Sequence, residues 1–277
     1  MKSLRPLWLI VAFYLLCLIT LGVLTTVGGL TLGVSAVSSG GILFQWLALG
    51  SVLVATYLML RGVDRLPWST IGLDTLAASP RLLLRGAVFG GLTIGLASVA
   101  LISINELRID QAAPGNWWAA AGTATWILLP AAFFEELFIR GYAFAVLRRA
   151  AGWKMALIVT SVVFGLLHSW NPGADAESIL AVTVAGFFLG AIFLATRSLY
   201  AAGAAHFAWN WVMAGALHTP VSGLPLATPD YKVVDAGPDW LTGGPWGPEG
   251  GVAAVVAMFA VLFYLYGRYL RRMEWPA

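Results

Sequence analysis

Long apolar stretches separated by short polar connectors dominate the chain and indicate its fold class. A helix needs about 20 mostly apolar residues to cross a bilayer. Eight stretches meet or approach this length, near residues 7–27, 41–60, 82–104, 117–139 or beyond, 154–169, 178–196, 199–217 and 250–270. The pattern predicts an all-α polytopic membrane helix bundle with about eight transmembrane helices and with any active site in the bundle core.

The same pattern leaves little chain for a soluble domain, so residues 1–277 are predicted to form a single integral membrane domain. Helices one to three, within residues 1–110, carry no charged side chain in their apolar interiors and are assigned a scaffold role. Their glycines suit close helix packing. Residues 117–217 form the motif-bearing helices, and residues 250–272 contain the last helix.

One connector is much longer than the others. Residues 218–249 are rich in glycine and proline and carry four acidic residues against a single lysine. A connector of this length is uncommon without a role, but an ordered outer loop is a simpler interpretation than a cover over a cavity, and it is the one we adopt. His218, at its start, is predicted to be a surface histidine.

Composition and charge agree with a membrane location. The chain is 60% hydrophobic and only 10% charged, with a net charge of +3. With eight spans and a cytoplasmic N-terminus, every Lys and Arg except Arg108 and Lys232, or 14 of 16, falls on the inner side. This asymmetry follows the positive-inside rule and places both termini in the cytoplasm. The charges sort by membrane side, so the expected partner is the lipid bilayer and not a nucleic acid.

The apolar pattern is interrupted only between residues 117 and 217, where ionisable and amide side chains occur inside apolar helices. A charged residue at bilayer depth costs about 2.5–3.5 kcal/mol on insertion scales and usually faces a partner in the bundle interior. Single residues of this kind are often structural, but a set on several helices favours a functional site. The set comprises Glu135, Glu136, Arg140, His168, His206 and Asn210.

Helical spacing divides this set into pairs. Glu136 and Arg140 are four residues apart, on one face and in the favourable order for an ion pair. Glu135 lies about 100° away around the helix, so it is free for chemistry. Four residues also separate Phe164 from His168, and His206 from Asn210.

Together these groups suit the attack of water on a peptide carbonyl. Glu135 can accept the proton of the water, and His168 can hold the same water. His206 and Asn210 can donate hydrogen bonds to the negative charge that develops on the carbonyl oxygen. No serine or cysteine stands in a recognisable nucleophile arrangement, and Cys17 is the only cysteine.

The three motifs resemble those of a known family. "EELFIR" fits EExxxR, "FGLLH" fits FxxxH and "HFAWN" fits HxxxN, in this order on successive helices. The chain is therefore similar to the CAAX protease and bacteriocin-processing family, whose eukaryotic members are type II CAAX prenyl endopeptidases. The resemblance implies an intramembrane endopeptidase in which Glu135 and His168 activate water, His206 and Asn210 form the oxyanion site, and Glu136 and Arg140 support it.

The resemblance does not transfer a substrate beyond a protein or peptide in the membrane. The short chain and its charge asymmetry are more typical of the prokaryotic branch, which indicates the plasma (inner) membrane. The family has been described as metalloproteases, and Glu135, His168 and His206 are a possible His2Glu set for Zn²⁺. The chain lacks HExxH, so we favour a mechanism without a cofactor and keep zinc as the alternative.

Two other functions compete with proteolysis. A non-catalytic binding or immunity protein on the same scaffold would also carry the motifs, although the complete set favours an enzyme. A proton-coupled transporter also uses Glu and His chains, but the sequence shows no repeat symmetry.

The positions of Glu135 and His168 also make a prediction about helix four. The two residues reach the same depth in the membrane only if this helix is long, so we expect it to continue through "GYAFAVLRR" to about Arg149.

Overall fold

The computed structural model describes residues 4–38 and 40–272 and has the predicted architecture, a helical membrane bundle. Eight helices account for the eight apolar stretches. They are α1 (Arg5–Leu32), α2 (Ile42–Tyr57), α3 (Pro80–Ser103), α4 (Trp117–Arg140), α5 (Tyr142–Leu167), α6 (Ala176–Thr196), α7 (Leu199–Trp211) and α9 (Val252–Arg268).

Smaller elements complete these helices. The π-helical turns Leu58–Val63 and Val212–Leu217 prolong α2 and α7. Strands β1 (Leu107–Gln111) and β2 (Tyr231–Asp235) pair in antiparallel fashion, and the one-turn helix α8 (Asp239–Thr242) precedes α9. Short 3₁₀ turns occupy Val34–Val37, Trp68–Ile71, His168–Trp170, Gly244–Trp246, Pro248–Gly250 and Leu270–Arg272.

Length and apolar composition support membrane crossing. Within the described residues, five helical segments are long and apolar enough to span a bilayer, and the segment Trp117–Trp170 among them contains both α4 and α5. Helix α9 is a shorter apolar helix of 17 residues, about 25 Å at 1.5 Å per residue. The protein is an integral membrane protein in which α4 to α7 are flanked by the other helices.

The scaffold helix α3 contacts the motif-bearing helix α7 at backbone distance. A Cβ atom at Gly86 would overlap the carbonyl oxygen of Ala201, and one at Gly90 would overlap that of Ala205. Only glycine allows this approach, which is the small-residue packing that lipid-embedded helices use. The contact supports α7 directly behind His206.

The prediction of a continuous helix four to about Arg149 is wrong. Helix α4 ends at Arg140, because Gly141 has ψ −118° and leaves the helical conformation. A Cβ at position 141 would overlap the carbonyl oxygen of Leu137, so the break requires glycine. The chain is helical again from Tyr142, and a second break follows at Gly152, where φ is +81°.

The depth argument behind that prediction is also wrong, because it required an unbroken helix four for Glu135 and His168 to meet. Their side chains lie close together although α4 stops at Arg140 and a second break follows at Gly152.

The long connector is not a plain outer loop. Residues 221, 222 and 224–227 line a cavity, and β2 pairs with β1 from the α3–α4 connection. His218 is also not a surface residue, since only 3% of it is exposed. Its ring stacks on Tyr231 with centroids 4.4 Å apart, and its Nδ1 lies 2.7 Å from the Tyr231 carbonyl oxygen. The prediction of a surface position for His218 failed because β2 folds back over the end of α7 and covers the histidine.

Candidate functional site

The three motifs meet around the carboxylate of Glu135. Its Oε2 lies 3.8 Å from Nε2 of His168 and 3.8 Å from Nε2 of His206. These separations are too long for direct hydrogen bonds, but one water oxygen can lie within about 2.8 Å of two atoms that far apart. The side chain of Glu135 is 32% exposed, although its Oε2 atom is buried and has no hydrogen-bond partner among the described residues.

The orientation of His168 follows from its place at the end of α5. Its Nδ1 lies 2.7 Å from the carbonyl oxygen of Phe164, one turn earlier, so Nδ1 must carry the proton and donate. The Phe164 ring packs against the imidazole with centroids 4.8 Å apart. These contacts orient the ring with Nε2 towards Glu135, and in the tautomer protonated at Nδ1 alone Nε2 can accept a hydrogen bond from water.

A different partner holds His206, on α7. Its Nδ1 lies 3.1 Å from Oε1 of Glu136 and donates to it, because a carboxylate only accepts. Nε2 then faces Glu135. Asn210 lies one turn further along α7, is almost buried, and lines the same cavity.

The predicted ion pair between Glu136 and Arg140 is present. Arg140 Nη1 lies 2.7 Å from Glu136 Oε1, and neither side chain is exposed. Arg140 Nη2 also donates to the carbonyl oxygen of Gly186 on α6, 2.9 Å away. The guanidinium lies 4.8 Å from the centre of the Phe164 ring, which also contacts both histidines. Helices α4, α5, α6 and α7 are therefore connected next to the catalytic candidates by contacts of Glu136, Arg140 and Phe164.

A cavity of about 400 Å³ lies above these groups. One wall is a stripe of α4 residues spaced four apart, namely Thr123, Ile127, Ala131 and Glu135. The opposite wall includes Asn171 and residues 221, 222 and 224–227 of the long connector. A second cavity of about 20 Å³, room for a single water, lies behind the histidines.

Sequence reasoning missed the group that ties the long connector to the site. Glu249 is almost buried, and its Oε1 accepts hydrogen bonds from the backbone N–H of Ser222 (2.6 Å) and from its hydroxyl (2.7 Å). Its Oε2 accepts from Trp209 Nε1 at 2.8 Å, and Asn171 Nδ2 donates to the Ser222 carbonyl oxygen at 3.0 Å. Nothing in the glycine- and proline-rich sequence around Glu249 distinguishes it from an ordinary loop acid.

Glu135 lies further from His168 and His206 than the ligands of a zinc ion lie from one another. Two ligands of a tetrahedral zinc ion lie about 3.3 Å apart when the metal–ligand distances are about 2.0–2.1 Å, whereas Glu135 is 3.8 Å from each histidine. No three His, Cys, Asp or Glu side chains among residues 4–38 and 40–272 are arranged to hold a metal ion. The residues as placed do not match a zinc set, and no step proposed below passes through a metal.

The region that carries the three motifs matches a known protein family. Residues 116–212 match the family model described as type II CAAX prenyl endopeptidase Rce1-like. The matched region contains Glu135, His168, His206 and Asn210, and it confirms the family resemblance deduced from the motifs. No curated protein and no solved structure matched the chain.

Proposed function

We propose that this membrane protein, whose residues 116–212 match the Rce1-like family, hydrolyses a peptide bond of a membrane-associated protein or peptide. The family match points to an intramembrane CAAX-type endopeptidase. The observation that supports the chemistry is the position of Glu135, whose Oε2 lies 3.8 Å from both histidine Nε2 atoms and whose side chain lines a cavity.

In the proposed mechanism Glu135 is the general base and His168 positions the water. The water donates one hydrogen bond to the Glu135 carboxylate and the other to the Nε2 lone pair of His168, which directs an oxygen lone pair at the carbonyl carbon. As the C–O bond forms, one proton of the water passes to Glu135. When the C–N bond breaks, Glu135 delivers this proton to the leaving amine nitrogen.

His206 and Asn210 stabilise the tetrahedral oxyanion. Because Nδ1 of His206 donates to Glu136, its Nε2 can donate to the oxyanion only in the doubly protonated imidazolium form. Two carboxylates and one guanidinium leave the site with one negative charge, and the imidazolium of His206 balances it. The Asn210 amide supplies the second donor. Donors fixed before the reaction lower the barrier without reorganisation.

The test compares membranes containing wild type with those containing Glu135→Ala, by peptide-level mass spectrometry at matched expression. We expect a cleavage product that depends on Glu135 and also on His168. The exposed Asp110→Asn variant is the control and should keep the product. If the two site variants retain every product and the function of the wild type, the non-catalytic binding protein is the better description.

A chelator distinguishes the metal-free mechanism from one that depends on zinc. With Glu135 and His168 as the only activating groups, we expect the purified enzyme to keep its activity after chelation. Stoichiometric zinc in the purified protein, lost together with the activity and restored with it, would instead assign Glu135, His168 and His206 as its ligands.

A further inference from the structure

The two ends of the bundle differ strongly in charge. Among the described residues, the end that carries the start of α1 and the connector between α2 and α3 holds twelve basic residues and two acids. The bases are Arg5, Arg61, Arg65, Arg81, Arg85, Arg148, Arg149, Lys154, Arg197, Arg268, Arg271 and Arg272, and the acids are Asp64 and Asp74. The opposite end holds two basic residues, Arg108 and Lys232, and eight acids, namely Glu106, Asp110, Asp175, Glu177, Asp230, Asp235, Asp239 and Glu249.

Contacts within each end show that these residues share one side of the bundle. At the basic end Asp64 pairs with both Arg5 and Arg149. At the acidic end Asp230 accepts a hydrogen bond from the backbone of Gly115, and β1 pairs with β2. Basic residues concentrate on the cytoplasmic side of membrane proteins, so the acidic end is extracytoplasmic.

The catalytic cavity extends towards the acidic end. From Glu135 it follows the α4 stripe to Thr123, twelve residues or about 18 Å nearer to the start of α4. Several further lining residues lie in connectors of the acidic end, namely Gly40, Asn171, Val221, Ser222 and residues 224–227. The cavity of about 200 Å³ at the basic end is lined by Arg5, Asp64 and neighbouring residues, and contains none of the four catalytic candidates.

Aromatic side chains pack against one another between Glu135 and the basic end. Phe138, one turn beyond Glu135, packs on Tyr14 and on Phe134 with ring centroids 4.7 Å and 5.4 Å apart. Phe13 packs on Tyr142 at 5.4 Å. These rings join α1, α4 and the start of α5 on the cytoplasmic side of the site.

We infer that the site receives its substrate from the acidic, extracytoplasmic end and acts on a peptide segment that has already crossed the membrane. This inference rests on the proposed hydrolytic function. The cavity volume also restricts the conformation of the substrate. A helix about 10 Å wide would occupy roughly 1,400 Å³ over 18 Å, more than the empty space of about 1,100 Å³ between the lining residues, open solvent included.

The bound segment is therefore extended. At about 3.3 Å per residue, five residues cover the 18 Å from the rim to Glu135. Ile127, Ala131 and Leu226 offer apolar surface to its side chains, and Gln45 and Asn171 line the same cavity with amide groups.

Cysteine labelling tests the side of access. In a Cys17→Ala background, single cysteines are placed at Ile109 on β1, at Leu76 in the α2–α3 connector and at Ala131 in the cavity, and each is treated with a membrane-impermeant charged maleimide. Ile109 and Leu76 are 62% and 84% exposed. If Cys17→Ala lowers the yield, the wild-type background serves, because Cys17 is buried.

We expect Ile109→Cys and Ala131→Cys to react in intact cells and Leu76→Cys only in inside-out vesicles. Modification of Ala131→Cys should reduce Glu135-dependent cleavage at least tenfold, while modification of Leu76→Cys leaves it unchanged. Reaction of Leu76→Cys from outside, or of Ala131→Cys only from inside, overturns the inference even when cleavage is intact. The expected labelling without any Glu135-dependent product overturns the proposed hydrolysis instead.

Discussion

The adjacent carboxylates Glu135 and Glu136 provide a matched pair in which the same substitution is expected to affect cleavage at one position and folding stability at the other. Glu136 is fully buried and bonded to Arg140 and His206. Glutamine in its place keeps the shape and an acceptor for His206 but leaves the Arg140 guanidinium buried without its counter-ion. Removing one partner of a buried ion pair typically costs about 3–5 kcal/mol. We expect Glu136→Gln to lower the free energy of unfolding by this amount.

Glu135→Gln is the control at the neighbouring position. Glu135 is 32% exposed, and its Oε2 has no hydrogen-bond partner within the described residues. Neutralising it removes only its attraction to the His206 imidazolium across 3.8 Å, so the free energy of unfolding should fall by about 1 kcal/mol or less. The loss of the general base should nevertheless abolish the cleavage product. Glu135→Gln thus affects chemistry first, whereas Glu136→Gln affects stability first.

The assay is reversible unfolding in mixed micelles, with cleavage measured at equal amounts of folded protein. A cost of 3–5 kcal/mol shifts the ratio of folded to unfolded protein by two to nearly four powers of ten, since each 1.4 kcal/mol is about tenfold. Arg140→Met combined with Glu136→Gln should recover much of the loss, because no unpaired charge remains. Equal stability changes for the two glutamate variants, or additive effects of Glu136→Gln and Arg140→Met, would refute the division of roles.

Three further predictions concern the scaffold and the connectors. A Cβ at Gly90 would overlap the α7 backbone, whereas at Gly95 the nearest atom is 3.8 Å away. Gly90→Ala should therefore lower the free energy of unfolding by about 1–3 kcal/mol in thermal denaturation. A harmless Gly90→Ala together with a harmful Gly95→Ala would contradict the packing. Glu249→Gln should lower the free energy of unfolding by about 1–3 kcal/mol and speed amide hydrogen exchange in residues 219–227. Asp110→Asn is the control and should change neither. Unchanged exchange would show that Glu249 does not hold this segment. Hydrogen bonds from Ser178 lower the pKa of Asp175 at the N-cap of α6, so its contribution is complete above the unfolded pKa of about 3.9 and is lost as the pH falls through the lower folded value. Asp175→Asn should remove this pH dependence from the unfolding midpoint, and a midpoint with the same pH dependence in both proteins would contradict it.

The helix pattern was predictable because lipid imposes it on each segment separately. A backbone in hydrocarbon must satisfy its own hydrogen bonds, so an apolar stretch of sufficient length becomes a helix regardless of its neighbours. Each of the eight stretches contains a helix in the structure. Most boundaries differ by a few residues, as for α1 at Arg5–Leu32 against the predicted 7–27, but α5 begins at Tyr142, twelve residues before the predicted 154. The break at Gly141 was missed because glycine inside a helical pattern is often tolerated.

Relations between residues four apart were also predictable, since they depend only on helix geometry. The Glu136–Arg140 ion pair is the clearest case. The burial of His218 was not predictable from its polar surroundings, because the residues that cover it, on β2, lie thirteen or more positions away.

By itself, the sequence determined the helical membrane bundle, the motif pairs on α4, α5 and α7, and the asymmetry of charge between the two ends. These properties are set by hydrophobicity, by helical periodicity and by the cost of charge in lipid, all of which act locally. Only the tertiary structure decided that Glu135 lies equally far from His168 and His206, and that Glu249 fastens the long connector beside them. Those placements depend on two helix breaks and on a connector folded back over the bundle, where packing between distant residues outweighs local preference.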